Sequence, residues 1–145
     1  MSWINWKRYL LATAAVFVFL FFFEFLIHGI LLMDTYGETP SVWRSMSEME
    51  ANFPFTILLQ LLLAAWLTYM FSQIYEGGGI SNGLRFGLYF GVFAGLLSGS
   101  WYLVLPISAK LGWSWFATSI AEGLGAGALL GSIYRKRNNG SPFQG

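Results

Sequence analysis

The amino-acid sequence predicts an all-α, polytopic integral membrane protein with four transmembrane helices. Its composition is one reason: 56% of the 145 residues are hydrophobic and only 10% are charged, well away from the values typical of soluble domains. In addition, four apolar segments are each longer than the roughly 20 residues that a helix needs to cross a bilayer. These segments are residues 9–33, 53–75, 84–108 and 113–134, and together they predict one four-helix domain over residues 1–145.

The first span is predicted to be retained rather than cleaved as a signal peptide. Lys7 and Arg8 precede an apolar run that continues to Met33 without a small-residue cleavage site after it. Trp3 and Trp6 lie beside these cations and are typical of aromatic side chains at the membrane interface. We therefore expect the start of the chain to lie along the membrane surface.

Residues 34–52 are predicted to form an acidic loop outside the membrane. This segment is too short for a soluble domain with its own core. Ser45 and Glu48 have the spacing of a capping box and predict a short surface helix before span two. Asn52 is the predicted cap of that span, and Pro54 in its first turn replaces an amide that has no intrahelical partner.

The other two connections are short. Gly77, Gly78 and Gly79 follow span two and predict a tight turn, so spans two and three are expected to be antiparallel neighbours. Pro106 is predicted to end or bend span three, and a few residues then lead to span four.

Spans three and four each carry glycine at every fourth position. In a membrane helix this spacing removes side chains from one stripe and lets a neighbouring backbone approach closely. Because only a few residues join these two spans, we predict that they pack together as a glycine zipper. The surplus of glycines on span three is also compatible with a second copy of the chain, a larger partner or a flat cofactor. The ladder residues are Gly83, Gly87, Gly91, Gly95 and Gly99 on span three, and Gly123, Gly127 and Gly131 on span four.

The distribution of lysine and arginine predicts that both termini are cytoplasmic. Positive residues are enriched in the cytoplasmic connections of membrane proteins. We therefore expect the chain in the inner, cytoplasmic membrane of a bacterium, with the basic tail at residues 135–145 disordered. The positive residues on the predicted inner side are Lys7, Arg8, Arg85, Arg135, Lys136 and Arg137, against Arg44 and Lys110 on the other side.

Three ionisable residues lie inside the predicted spans: Glu24, His28 and Glu122. Each needs a physical reason, because a charged side chain at the centre of a membrane helix costs about 2.5–3.5 kcal/mol on insertion scales. Glu24 and His28 are four residues apart and therefore lie on one helix face. Glu24 lies nine residues before Met33 and Glu122 nine residues after Trp113, so both are expected about 13 Å below the outer boundary.

We predict that these three residues form a polar site, with Gln60, Ser98 and Tyr102 as a surrounding layer. Two carboxylates and an imidazole are suitable ligands for a divalent cation such as Zn, Mn or Fe, and they are also able to share protons. Alternatively, the glutamate and histidine of span one form a local pair, and the glutamate of span four bonds to a neighbouring helix. Haem is less favoured, because the chain has one histidine and bis-histidine ligation needs two.

The composition excludes several functions. The chain has no cysteine, which excludes disulfides, thiolate metal sites and cysteine nucleophiles. Its net charge of +1, without a basic cluster, predicts no nucleic-acid partner. The sequence has neither a phosphate-binding loop nor a metalloprotease helix, so enzymatic activity at a metal-bound water is the least favoured interpretation.

The favoured function is a non-enzymatic accessory or structural subunit, packed in the lipid bilayer against copies of itself or within a larger membrane complex. The alternative is a channel or transporter for protons, metal ions or small solutes that uses the same polar residues. A route across the membrane needs polar groups in both halves, whereas residues 12–23 and 61–65 are nearly pure hydrocarbon. Transporters also commonly contain internal repeats, and the first and second pairs of spans do not repeat each other.

Overall fold

The computed structural model describes residues 4–134 and is all-helical over that range, with no strand. Trp3, the predicted disordered tail at residues 135–145 and the three positive residues in that tail lie outside the described residues. A π-helical turn continues the first helix, and single 3₁₀ turns follow the second and fourth. The α-helices are α1 (Trp6–Leu26), α2 (Met33–Gly37), α3 (Met46–Ile74), α4 (Gly79–Ser100) and α5 (Ala109–Ile133), with the π-helical turn at Ile27–Leu31 and the 3₁₀ turns at Pro40–Val42 and Trp101–Leu103.

Four helical segments are long and apolar enough to cross a membrane, which confirms the predicted number of candidate spans. All four begin earlier than predicted, at Trp6, Met46, Gly79 and Ala109 rather than at residues 9, 53, 84 and 113. The earlier start of α5 follows from its cap, because the Ser108 hydroxyl accepts a hydrogen bond from the Leu111 backbone N–H at 3.3 Å. The four segments are Trp6–Leu31, Met46–Ile74, Gly79–Leu103 and Ala109–Ile133.

The start of α3 differs from the prediction. Ser45 and Glu48 do form a capping box, in which the Ser45 hydroxyl accepts from the Glu48 N–H at 3.3 Å and the Glu48 carboxylate accepts from the Ser45 N–H at 3.0 Å. This box begins α3 itself, so the separate surface helix and the cap at Asn52 were wrong. Pro54 lies inside the helix, where it removes one backbone hydrogen bond without ending the helix.

The glycine turn between α3 and α4 is present, but the two helices do not pack along each other. Gly77, Gly78 and Gly79 have φ values of 113°, 76° and 57°, which L-residues with side chains rarely adopt. Beyond this turn α3 packs along α1. It meets α4 close to the turn, where the ring centroids of Phe71 and Phe86 are 5.4 Å apart.

The closest helix pair is α4 with α5. A Cβ atom added at Gly87 would lie 2.0 Å from the carbonyl oxygen of Gly123, a distance that the backbone itself must relieve. Toward the end of α4 the fit is looser, since a Cβ at Gly99 would lie 3.3 Å from the carbonyl oxygen of Gly112. Every glycine of the α4 ladder therefore faces α5, and the stripe leaves none of them for a second partner.

A hydrophobic cluster fills the half of the bundle that contains the start of α1, the end of α5 and the α3–α4 turn, which we call the terminal end. Small and branched side chains from α1, α3 and α5 meet there. The ring of Phe19 on α1 lies directly over α5, since a Cβ added at Gly125 would be 2.3 Å from the Phe19 Cζ atom. The buried members of the cluster are Ala12, Val16, Leu20, Ala64, Leu67, Phe71, Tyr75, Ala126, Leu130 and Tyr134.

A second, smaller cluster lies at the opposite end, which we call the loop end. Its buried members are Ile27, Leu32, Ile107 and Leu111, at the ends of α1 and α5. Aromatic residues of the segment between α1 and α3 pack against it, so this segment is held on the bundle. The helices therefore follow the order α3, α1, α5, α4, and α1 and α4 both pack along α5 but not along each other.

Candidate functional site

The gap between α1 and α4 contains a cavity of about 270 Å³ in the half of the bundle nearer the loop end. All three of α1, α4 and α5 contribute to its walls, and carboxyl, imidazole, indole and hydroxyl groups all face it. None of the lining residues is lysine or arginine. The lining residues are Glu24, His28, Ser98, Trp101, Trp115, Thr118, Ser119 and Glu122.

Four of the six residues predicted for the polar layer line this cavity, and two do not. Tyr102 misses it because the chain tightens into a 3₁₀ turn after Ser100, which brings Trp101 to the cavity and leaves the Tyr102 Cβ against Gly112. Gln60 also lies outside, because α3 packs along α1 rather than over the gap, and its buried Oε1 atom has no hydrogen-bond partner in the described part of the chain.

Glu24 and His28 are direct neighbours on one face of α1. The His28 Nε2 atom lies 3.3 Å from the Glu24 Oε2 atom, and the two side chains are 36% and 38% exposed. His28 belongs to the π-helical turn, where the Leu32 N–H bonds to the Ile27 carbonyl at 2.8 Å. Single π-helical turns are frequent at functional sites, and sequence spacing gave no sign of this one.

Tyr36 is the residue of this site that sequence reasoning missed. Its hydroxyl contacts the Nδ1 atom of His28 and accepts a hydrogen bond from the Trp115 Nε1 atom at 2.8 Å. Trp43 holds the Tyr36 backbone by donating to its carbonyl oxygen at 3.1 Å. Tyr36 lies on α2, in the predicted acidic loop, and no helical periodicity relates its position to the spans. The only sign of its role in the sequence was an aromatic residue close to Asp34.

The environment of Tyr36 keeps its hydroxyl protonated. Burial raises the pKa of the Tyr36 phenol above its ordinary value; the hydrogen bond from Trp115 acts in the opposite direction, and the nearby charge of Glu24 adds to the increase. A raised pKa favours the neutral form of an acid. The phenol therefore remains a hydrogen-bond donor throughout the physiological pH range.

The carboxyl groups of Glu24 and Glu122 lie in the same cavity, on α1 and α5, close enough to interact with each other. Glu122 is half-buried, and the phenyl ring of Phe19 closes the α1–α5 contact about one turn deeper. An ionised carboxylate has no hydrogen to donate. Two carboxyl groups can therefore bond to each other only when one of them carries a proton.

The hydroxyl groups of the cavity bond to each other and to backbone carbonyls of their own helices rather than to the acids. The Ser98 Oγ atom lies 3.3 Å from the Ser119 Oγ atom, and also bonds to the Gly95 carbonyl at 3.3 Å. The Thr118 hydroxyl donates to the Ser114 carbonyl at 2.8 Å. These bonds leave His28 as the one lining group able to balance a carboxylate with positive charge.

The geometry gives the predicted metal site no support. Within residues 4–134, no group of three or more histidine, cysteine, aspartate or glutamate side chains is arranged to hold a metal ion. Both ring nitrogens of His28 are already engaged, one with Tyr36 and the other with Glu24, so the imidazole has no free lone pair for Zn, Mn, Fe or haem iron.

The fold and the cavity together define a class: a helical protein with four candidate membrane spans and an acid pair held in a polar cavity at one end. No protein-family model, curated protein or solved structure matches this chain.

Proposed function

We propose that this chain is a non-enzymatic accessory subunit of the bacterial inner membrane, and that its Glu24–Glu122 pair binds a proton. Both termini are cytoplasmic in this proposal, the loop end faces outside, and a glycine zipper fixes α4 on α5. The observation that carries the proposal is the placement of two carboxyl groups in one cavity whose lining contains no lysine or arginine.

A shared proton is the simplest charge balance for this cavity. Leaving both glutamates ionised would place two negative charges close together within the membrane-spanning bundle. Each would cost about 2.5–3.5 kcal/mol on insertion scales. The lining residues contain no lysine or arginine to offset these charges. One proton between the carboxyl groups neutralises one of the two negative charges. His28 lies 3.3 Å from Glu24, beside the negative charge that remains.

A channel or transporter is less well supported by the same geometry. Such a protein needs a polar route to both faces of the membrane, and the cavity opens in one half only. Beyond it the cluster at the terminal end is filled by apolar side chains such as Leu20, Leu67 and Leu130, which are at most 2% exposed. The geometry of a single copy therefore supports proton binding from one side of the membrane better than conduction across the membrane.

The exposed face of α3 supports an assembled state. Phe55, Leu59 and Leu62 are 65%, 66% and 56% exposed, and their spacing places them along one stripe of the helix. In the bilayer this stripe contacts lipid or another membrane chain, and we propose a second copy or a larger complex there. Native mass spectrometry from mild detergent tests this part: an oligomer or hetero-complex supports it, and a monomer alone contradicts it.

The bound proton is tested by infrared spectroscopy of the protein in lipid nanodiscs. We expect a carboxyl C=O band at neutral pH, where water-exposed glutamates are ionised. Glu24→Gln and Glu122→Gln should each remove this band, because each removes one half of the pair. Glu76→Gln, at an exposed position in the glycine turn, is the control and should leave it unchanged. A wild-type spectrum without the band, or a band that survives in both variants, contradicts the proposal.

A further inference from the structure

We propose that Tyr36 is the positioning residue of the site: it fixes the tautomer of His28 and connects the acid pair to the loop end for proton exchange. This inference rests on the proposed function and adds the side from which the proton arrives. It follows from the hydrogen-bonding capacities of four neighbouring side chains.

The first step is the direction of the bond between Trp115 and Tyr36. An indole Nε1–H is a donor only. At 2.8 Å the Tyr36 oxygen must therefore accept this bond, which uses one of its acceptor positions. The hydroxyl hydrogen of Tyr36 remains available for a different partner.

The second step is the partner of that hydrogen. The His28 Nδ1 atom is in contact with the Tyr36 oxygen, and within residues 4–134 the hydroxyl has no third partner. When the imidazole is neutral, Tyr36 donates to Nδ1, and the ring hydrogen must lie on Nε2. The Nε2 atom lies 3.3 Å from the Glu24 Oε2 atom, so this tautomer places the ring hydrogen beside the Glu24 carboxyl group.

These contacts form one chain from Tyr36 through His28 to Glu24, which shares the cavity with Glu122. A proton from water at the loop end joins the Tyr36 oxygen as the phenol hydrogen moves to Nδ1 of His28. The Nε2 hydrogen then moves to Glu24, which leaves the imidazole neutral with its hydrogen on Nδ1 and the phenol intact. The net change is one proton gained by the carboxyl pair, and the same steps in reverse release that proton to water and restore the Nε2–H tautomer.

The position of Tyr36 gives this chain its direction. α2 lies at the loop end. Asp34 within α2 and Glu38 directly after it are both exposed. The titratable groups that face His28 are Glu24 from α1, Tyr36 from α2 and Glu122 from α5. α4 and the 3₁₀ turn after it contribute only Ser98 and Trp101 to the cavity. The apolar cluster blocks the same acids from the terminal end.

The experiment uses the fact that the chain has one histidine. In ¹⁵N-histidine-labelled protein in nanodiscs, the two ring nitrogens give one pair of signals that reports the tautomer directly. We expect the Nε2–H tautomer in the wild type. Tyr36→Phe keeps the ring and removes the hydroxyl, so the ratio of Nε2–H to Nδ1–H tautomers should fall by about fivefold or more, the effect of losing one hydrogen bond.

A matched control and a second variant make the result specific. Tyr102→Phe removes a hydroxyl from a tyrosine outside the cavity and should leave the tautomer ratio unchanged. Trp115→Phe removes the donor that orients the Tyr36 hydroxyl and should shift the ratio in the same direction as Tyr36→Phe. In Tyr36→Phe, deuterium exchange of the carboxyl hydrogen should also slow by about 10²-fold, as expected for loss of a positioned proton-transfer group.

The two proposals fail separately. A carboxyl band that behaves as expected, together with an unchanged tautomer ratio and exchange rate in Tyr36→Phe, overturns the role of Tyr36 alone. A missing carboxyl band together with a shifted tautomer overturns the acid pair as a proton site and retains Tyr36 as the residue that positions His28.

Discussion

At the scale of single residues, the site depends on which hydrogen-bond donors and acceptors lie beside each ring nitrogen of His28. Tyr36 bonds to one ring nitrogen and Glu24 lies 3.3 Å from the other, so His28 is engaged on both edges of its ring. Within residues 4–134, no group of three or more metal-ligating side chains includes this histidine. The residue types alone suggest a metal ion, whereas their arrangement is the basis for proposing a bound proton.

Glu122 is the residue whose replacement best separates a shared proton from simple packing. Glu122→Gln keeps a neutral group that can donate to Glu24, so we expect unfolding free energy within about 1 kcal/mol of the wild type. Glu122→Leu leaves the Glu24 carboxylate without its partner and should cost about 1–3 kcal/mol. Thermal unfolding in detergent at neutral pH measures both. Equal stability of the glutamine and leucine variants would show that the carboxyl bond contributes nothing.

Part of this residue-scale detail was available from the sequence. The spacing of Glu24 and His28 predicted neighbours on one face, and residue counts placed Glu122 at the depth of Glu24; the structure puts all three on one cavity. Tyr36 was not predictable, because loop residues have no period that relates them to a helix face. Tyr102 was chosen over Trp101 because the sequence gives no sign that the helix tightens after Ser100.

At the scale of the helices, the α4–α5 contact is set by backbone rather than by side chains. The spacing of the glycines predicted which two helices would meet, since a stripe without side chains is useful only against another backbone. The looser fit at Gly99 was not predictable, because it depends on the angle at which the helices cross. The start of α3 was misjudged for a related reason: Pro54 suggests a boundary, but the capping box at Ser45 determines the start.

The gradient along the glycine ladder gives a prediction with an internal control. Gly87→Ala places a methyl group 2.0 Å from a backbone oxygen of α5, so the helices must separate, and we expect a loss of about 1–3 kcal/mol. At Gly99 the same change meets the nearest atom at 3.3 Å, and the gain in helix propensity, about 1 kcal/mol, should offset the crowding. Thermal unfolding followed by circular dichroism should therefore show a clear loss for Gly87→Ala only. Equal effects at the two positions would mean that α4 and α5 are not in close backbone contact.

At the scale of the whole molecule, the cavity exists because of the order in which the helices pack. α1 and α4 share α5 as a common neighbour, and the space between them is closed by α3 side chains only near the terminal end. Hydropathy predicted four spans, but it contains no information about which spans are neighbours. The short α3–α4 turn suggested the wrong pair, because a tight turn fixes the ends of two helices and not the direction in which they continue.

The orientation of the bundle determines which side supplies the proton, and the absence of cysteine makes it directly measurable. Lys7, Arg8 and Arg85 belong to the terminal end, so the positive-inside rule predicts that this end faces the cytoplasm. Glu38 at the loop end and Glu76 in the glycine turn are both exposed, and each can be replaced by a single cysteine without disturbing the core. In intact cells, a membrane-impermeant maleimide should label Glu38→Cys at once and Glu76→Cys only after the membrane is opened, while the unmodified chain stays unlabelled. The reverse pattern would place the cavity, Tyr36 and the acid pair on the cytoplasmic side, so that the proton route would begin in the cytoplasm.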